Sequence, residues 1–315
     1  MILITGANGY VGAALIRRLL CDGRGPLVGA VRKAPERKPD SVRLFTAAEL
    51  SATYDWTAAL EGVRTVVHTA ARVHQVKDDV TDSLSEYRRV NVGGTLDLAR
   101  QAARSGVDRF IFVSSIKVNG EQTTRDKGFS ASDIPSPMDP YGISKWEAEQ
   151  GLLGIATQSG MEVVIVRPPL VYGPGVKAHF QSLIRIVNTG VPLPLGAINN
   201  LRSLVALDNL IDLLVTCISH PQAANQLFLV SDDQDISIGE LIGRLAIALG
   251  RPPRLISVPE WIFSTACSLT GYKSISQRLC GSLRVDINKT KDLLGWSPII
   301  DLDEGLRRAV AGYRR

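Results

Sequence analysis

Ile2-Leu3-Ile4-Thr5, a short apolar run, leads directly into Gly6-Ala7-Asn8-Gly9-Tyr10-Val11-Gly12, and an amphipathic segment continues to Leu20. A buried strand, a glycine-punctuated turn and a helix in that order open a parallel α/β sheet. Glycines at this spacing let the chain turn sharply, let a pyrophosphate approach the backbone, and let the helix pack close to the sheet. The helix N-terminus then faces an anion with free N–H groups. Gly6, Asn8, Gly9, Tyr10, Val11 and Gly12 are therefore expected to contact a dinucleotide.

The first half of the chain repeats this strand–helix alternation. Runs at 26–31, 42–45, 65–69, 110–113 and 162–166 read as further strands, with helices at about 82–104 and 141–158 between the later ones. Near-continuous apolar runs fit strands covered on both faces, as in a doubly wound parallel sheet. After Pro168-Pro169 the rhythm breaks, and Gly and Pro punctuate residues 173–196. Helices are expected at about 208–219, 238–249, 259–270 and 288–294. The expected organisation is a nucleotide-binding domain over 1–167, with a return of about 204–230 to its sheet, and a smaller substrate lobe over most of 168–315.

Bulk properties narrow the class. With 315 residues, 45% hydrophobic and 21% charged, the chain has an ordinary globular balance. Its net charge of +5 comes without a Lys/Arg block, so a nucleic-acid partner is not expected. The apolar stretch Trp261 to Leu269 is far below the ~20 residues a membrane span needs, and no membrane partner is expected. Cys21, Cys217, Cys267 and Cys280 form no C-x-x-C pair, so no metal site is expected. Scattered thiols fit a reducing compartment, and the expected location is cytoplasmic.

Two further features carry chemistry. An acidic residue ~20 positions beyond the glycine loop would bind the ribose 2′-hydroxyl of NAD. The chain instead reads Ala30-Val31-Arg32-Lys33. Two cations suit a 2′-phosphate, so NADP is the expected cofactor, with NAD as the alternative. Ser114-Ser115 close the strand at 110–113, at the carboxyl edge where open α/β sheets bind ligands. Tyr141 follows Asp139-Pro140, a helix start, and Lys145 lies one turn on. A cation there favours the phenolate and is expected to lower the Tyr141 pKa. Ser115, Tyr141 and Lys145 are the expected catalytic set, with Ser115 holding a carbonyl oxygen and Tyr141 carrying its proton.

Together these residues resemble the extended short-chain dehydrogenase/reductase superfamily, in its nucleotide-sugar epimerase/dehydratase branch. The likeness runs over nearly the whole chain: Val66-Val67-His68-Thr69-Ala70-Ala71, Asn91-Val92-Gly93-Gly94-Thr95, Arg167-Pro168, Val171-Tyr172-Gly173-Pro174-Gly175, Arg202-Ser203-Leu204-Val205 with Asp208, and Leu294-Gly295-Trp296-Ser297-Pro298. The resemblance implies a Rossmann-like fold. It implies His68, Ala70, Ala71, Asn91, Ser114 and Pro168 along the cofactor, and His179, Arg202 and Arg278 toward the substrate; Lys117, which departs from the pattern, is expected toward the substrate because it is long and cationic near the site. It also implies a homodimer formed through the helices at 82–104 and 141–158.

Departures from the pattern narrow the reaction. Dehydratases of this branch place an Asp-Glu pair after the strand-end Ser/Thr, and here those positions are Ile116 and Lys117. Segments 176–180 and 190–196 look most like enzymes acting on UDP-N-acetyl sugars. The leading expectation is an NADP-linked reductase of the C4 ketone of a UDP-N-acetyl-6-deoxyhexose in surface polysaccharide synthesis. The runner-up is a UDP-glucose/UDP-N-acetylglucosamine 4-epimerase, and a reading of another class is a non-catalytic NADP-sensing or assembly protein.

Overall fold

In a computed structural model the chain is described over residues 1–33, 41–47, 50, 54–73, 83–269 and 279–313. Seven strands form one parallel sheet: β1 (Ile2–Thr5), β2 (Leu27–Val31), β3 (Val42–Thr46), β4 (Thr65–His68), β5 (Arg109–Val113), β6 (Glu162–Arg167) and, much later in the chain, Leu227–Leu229. Strand order is β3-β2-β1-β4-β5-β6, with Leu227–Leu229 beside β6. The order reverses between β1 and β4, and at such a switch the carboxyl ends of the strands open a crevice. Ile4 and Gly29, Ile4 and Val67, Val67 and Ile111, and Ile111 and Val164 are neighbours across the sheet, which aligns those carboxyl ends.

Apolar layers cover both faces, as parallel strands require. One layer packs Leu15 and Leu19 of α1 (Tyr10–Cys21) with Leu210 and Leu214, from the later helix Leu207–Ser219, against Ile4, Val67 and Ile111. The other packs Trp56, Leu98, Ala102 and Leu152 against Leu3, Val66 and Phe110. Ion pairing between Arg18 and Asp212 (3.0 Å) ties α1 to Leu207–Ser219 at the rim.

The sequence expectation of one helix over 82–104 meets a correction. An α-turn, Ser83–Tyr87, passes into a seven-residue π-helical stretch, Arg88–Gly94, and only then into the regular helix Thr95–Arg104. Gly93-Gly94 weakens helix propensity there, and the wide turn re-aims Asn91 inward. Beyond β6 the chain is more ordered than expected. β7 (Leu170–Tyr172), β8 (Arg202–Ala206) and Asp235–Ile236 form a second, three-stranded sheet. The helices Ala178–Thr189, Ile238–Ala248 and Leu302–Tyr313 share a core with it around Tyr172, Phe180, Leu245 and Leu306. Among the described residues no helix is long and apolar enough to cross a membrane.

Candidate active site

The turn after β1 is built for close backbone approach. Gly6 has φ +66°, and a Cβ there would lie 2.9 Å from Thr69 Oγ1 and 3.0 Å from Ala70 N. A Cβ on Gly12 would run into the Gly6 carbonyl, so α1 can sit this close to the turn only with glycine. Gly9 N–H donates to Gly6 O (2.7 Å), and the N-terminus of α1 has no side-chain cap. Its first N–H groups are left for an anion. Asn8 is exposed, and Tyr10 and Val11 are half-buried beside it. The cradle fits a dinucleotide pyrophosphate. Arg32 and Lys33 follow β2 directly and are both exposed. Ala70 and Ala71, half-buried, flank the turn from the end of β4, and Thr69 Oγ1 holds this segment by donating to Thr5 O (2.7 Å).

A single helix carries the tyrosine and the lysine. Helix Pro140–Ser159 is capped by Asp139, whose Oδ1 accepts Gly142 N–H at 2.6 Å, with Pro140 in its first turn. Lys145 is 2% exposed. Its Nζ donates to Val113 O (2.8 Å), lies 4.5 Å from the centre of the Phe112 ring and 5.9 Å from that of Tyr141. Burial brings the ammonium down to about 7, with Glu149 acting in the opposite direction. Tyr141 is half-buried, edge-on to Tyr87 at 6.1 Å. Ser115, at the carboxyl end of β5, is half-buried and accepts Lys117 N–H at 3.3 Å.

Four of the expected residues have surroundings that the sequence did not show. The Tyr141 phenol is raised above its usual value, not lowered, because of its burial first, then the Asp139 carboxylate and Tyr87. His68 is wholly buried with its ring nitrogens hydrogen-bonded to Thr5 Oγ1 (2.7 Å) and Thr95 Oγ1 (3.0 Å), so it stands behind the crevice wall and not on it. Burial, and then Lys145, drive its imidazolium down to about 3. Asn91 spends its amide on the protein: Oδ1 accepts Arg72 N–H (2.8 Å), and Nδ2 donates to Arg72 O (3.1 Å) and Ser144 Oγ (3.0 Å). Ser114 donates its hydroxyl to Glu149 and is 4% exposed.

The remaining expected residues fall in three groups. Pro168 is buried and its carbonyl accepts Ile116 N–H (3.0 Å), which locks the turn after β5 to the end of β6. Lys117 is ion-paired with Asp139, the cap of the tyrosine's helix. Arg202 is half-buried, its Nη1 donating to Gly281 O (2.9 Å), and burial pushes its guanidinium below its usual value. It remains a cation. Arg278 and the side chain of His179 lie outside the described residues.

Sequence reasoning missed the group that holds these pieces in place. Glu149, 1% exposed, accepts Arg167 Nε (2.9 Å) and Nη2 (2.5 Å), and Arg167 Nη1 donates to Asn119 Oδ1 (2.9 Å). The signal was present: Glu149 stands four residues beyond Lys145 on the same helix face, and Arg167 ends a strand of otherwise apolar residues.

A glycine cradle at the first strand, and a tyrosine one turn before a buried lysine at the fifth, mark a dinucleotide-dependent proton and hydride site. The family described as "NAD dependent epimerase/dehydratase family" matches residues 2–238, and this chain belongs to it. It is an enzyme of the extended short-chain dehydrogenase/reductase type. The chain is 48% identical over 313 residues to the UDP-glucose 4-epimerase of Vibrio cholerae, covering 99% of this chain and 95% of that one. The structure of MoeE5 in complex with UDP-glucose and NAD superposes with a TM-score of 0.78 at 26% identity, covering 100% and 98%. UDP-glucuronic acid 4-epimerase from Bacillus cereus in complex with NAD has the same fold, with a TM-score of 0.79 at 21% identity over 99% and 98%.

Proposed function

We propose that this chain is an NADP-linked reductase acting on the C4 ketone of a UDP-N-acetyl-6-deoxyhexose, in surface polysaccharide biosynthesis. The observation that carries the chemistry is Lys145, buried against the carboxyl end of β5 with Tyr141 one turn before it. A nicotinamide held by the glycine cradle would supply hydride chemistry at the sugar carbon. Ser115 hydrogen-bonds the carbonyl oxygen, and Tyr141 gives its proton to the alkoxide that forms. Lys145 places a cation behind the phenol. Arg202 contributes positive charge toward the nucleotide diphosphate. Arg32 and Lys33 support the NADP preference, because the turn after β2 offers cations where an NAD-selecting carboxylate would sit. Ile116 and Lys117 in place of an acidic pair argue against water loss.

A second reading, UDP-sugar 4-epimerisation, is favoured by the 48% identity to the Vibrio cholerae 4-epimerase. Both readings use the same tyrosine. One tube holds enzyme, NADPH and a UDP-4-keto-6-deoxy-N-acetylhexose; another holds UDP-galactose with catalytic NAD. Stoichiometric NADPH loss is expected in the first. Interconversion without net redox, seen only in the second, selects the epimerase. Tyr141→Phe is expected to lose about 10²–10⁴-fold in turnover while still binding cofactor. Arg32→Asp is expected to weaken NADPH binding much more than NADH binding, and equal losses sink the NADP assignment.

A further inference from the structure

Asp139 does two things at once. Its carboxylate caps the helix through Gly142 N–H, and its charge lies close enough to Tyr141 to oppose phenolate formation. Lys117 reaches from the turn after β5 to the other carboxylate oxygen, Oδ2. Glu121 stands 3.9 Å from the same ammonium. Lys117 and Asp139 are 40% and 27% exposed, so the pair is only partly screened by solvent.

We infer that Lys117 is a positioning residue for proton transfer: by pairing with the helix-capping carboxylate of Asp139, it offsets part of the negative field that Asp139 places on Tyr141. The inference rests on Tyr141 as the proton carrier. It assigns Lys117 a task through Asp139 and not through the substrate. Among the described residues, the charged and titratable groups around the phenol are few. Its own helix offers Lys145 and, a turn further, Glu149. Tyr87 packs edge-on with Arg72 5.9 Å from the centre of its ring, His68 lies buried behind Lys145, and the turn after β5 brings Lys117. Lys117 is the member that contacts the acid nearest the phenol, and its removal leaves that acid beside Tyr141 with its charge no longer compensated.

The test is a charge cycle read as a pH–rate profile of the cofactor-loaded enzyme. Lys117→Met is expected to move the pH of half-maximal rate upward by about one unit, the low end of what a nearby charge does. Lys117→Arg keeps the cation and is expected to keep the wild-type profile. The double variant Lys117→Met/Asp139→Asn removes both charges while Asn still caps the helix, and is expected to bring the profile back. A Lys117→Met profile that does not move, or a shift that persists in the double variant, overturns the inference. If the wild-type enzyme turns over neither sugar, the proposed reaction fails separately. The same shift is then read from ultraviolet tyrosinate absorbance, taken as the difference from Tyr141→Phe.

Discussion

At residue scale the site is defined by ionisable groups kept where water would normally hold them. Lys145 is the clearest case, an ammonium with 2% exposure whose pKa falls to about 7. The unfolded chain holds that proton up to ~10.4. Between pH 7 and 10 the unfolded state therefore binds more protons than the folded one, and stability rises with pH across this window. Lys145→Met is expected to raise the melting temperature at pH 7 while abolishing turnover, with the gain shrinking as pH approaches 10. A variant less stable than wild type at pH 7 contradicts this account. Sequence alone gave the identities of Tyr141 and Lys145 and their spacing. It could not give the sign of the phenol's shift, because burial and the Asp139 field depend on what packs around the helix, and spacing carries no information about that.

Elements position these residues through one buried knot. Glu149 on Pro140–Ser159 joins Ser114 at the end of β5 and Arg167 at the end of β6, and Asn119 closes the set. Removing one member of such a pair leaves an uncompensated charge in the interior, at a cost of about 3–5 kcal/mol. Arg167→Met is expected to lower the unfolding free energy by that order, with a lower denaturant midpoint, and to cut turnover, whereas the paired change Arg167→Met/Glu149→Gln recovers part of the stability. Equal midpoints for the single and paired variants count against the knot. Strand existence was legible because parallel strands leave near-continuous apolar runs. The π-turn at Arg88–Gly94 was not, since its residues keep an α-like pattern. Leu302–Tyr313 was missed because Gly305 and Gly312 interrupt its apolar stripe, and both face the lobe's β7 region, near Tyr172 and Pro174. β8 was missed because Arg202 and Ser203 make its start look like a loop.

For the molecule as a whole, acid is the sensitive direction. His68 stays neutral in the folded protein down to about pH 3, whereas an unfolded histidine takes its proton near 6.5. Below 6.5 the unfolded state gains a proton that the folded state refuses, so stability falls with decreasing pH by up to about 1.4 kcal/mol per unit from this residue. Urea midpoints measured at pH 7, 6 and 5 are expected to drop, and to drop less in His68→Asn. An unchanged slope in that variant assigns the acid sensitivity elsewhere. The doubly wound architecture was readable from the strand–helix rhythm of the first half. The lobe was only sketched, because Gly and Pro hide short strands whose pairing is decided by distant partners such as Leu283, bridged to Arg202.

The late arrival of Leu227–Leu229 beside β6 sets an order of events during synthesis. A ribosome that has released residues 1–167 has made six of the seven main strands, and the outer edge of β6 still carries unpaired backbone groups. That edge is covered only after β7, Ala178–Thr189 and β8 have emerged. The nascent chain thus keeps this margin open through about sixty residues of further translation, a stretch in which early folding exposes it to neighbouring chains.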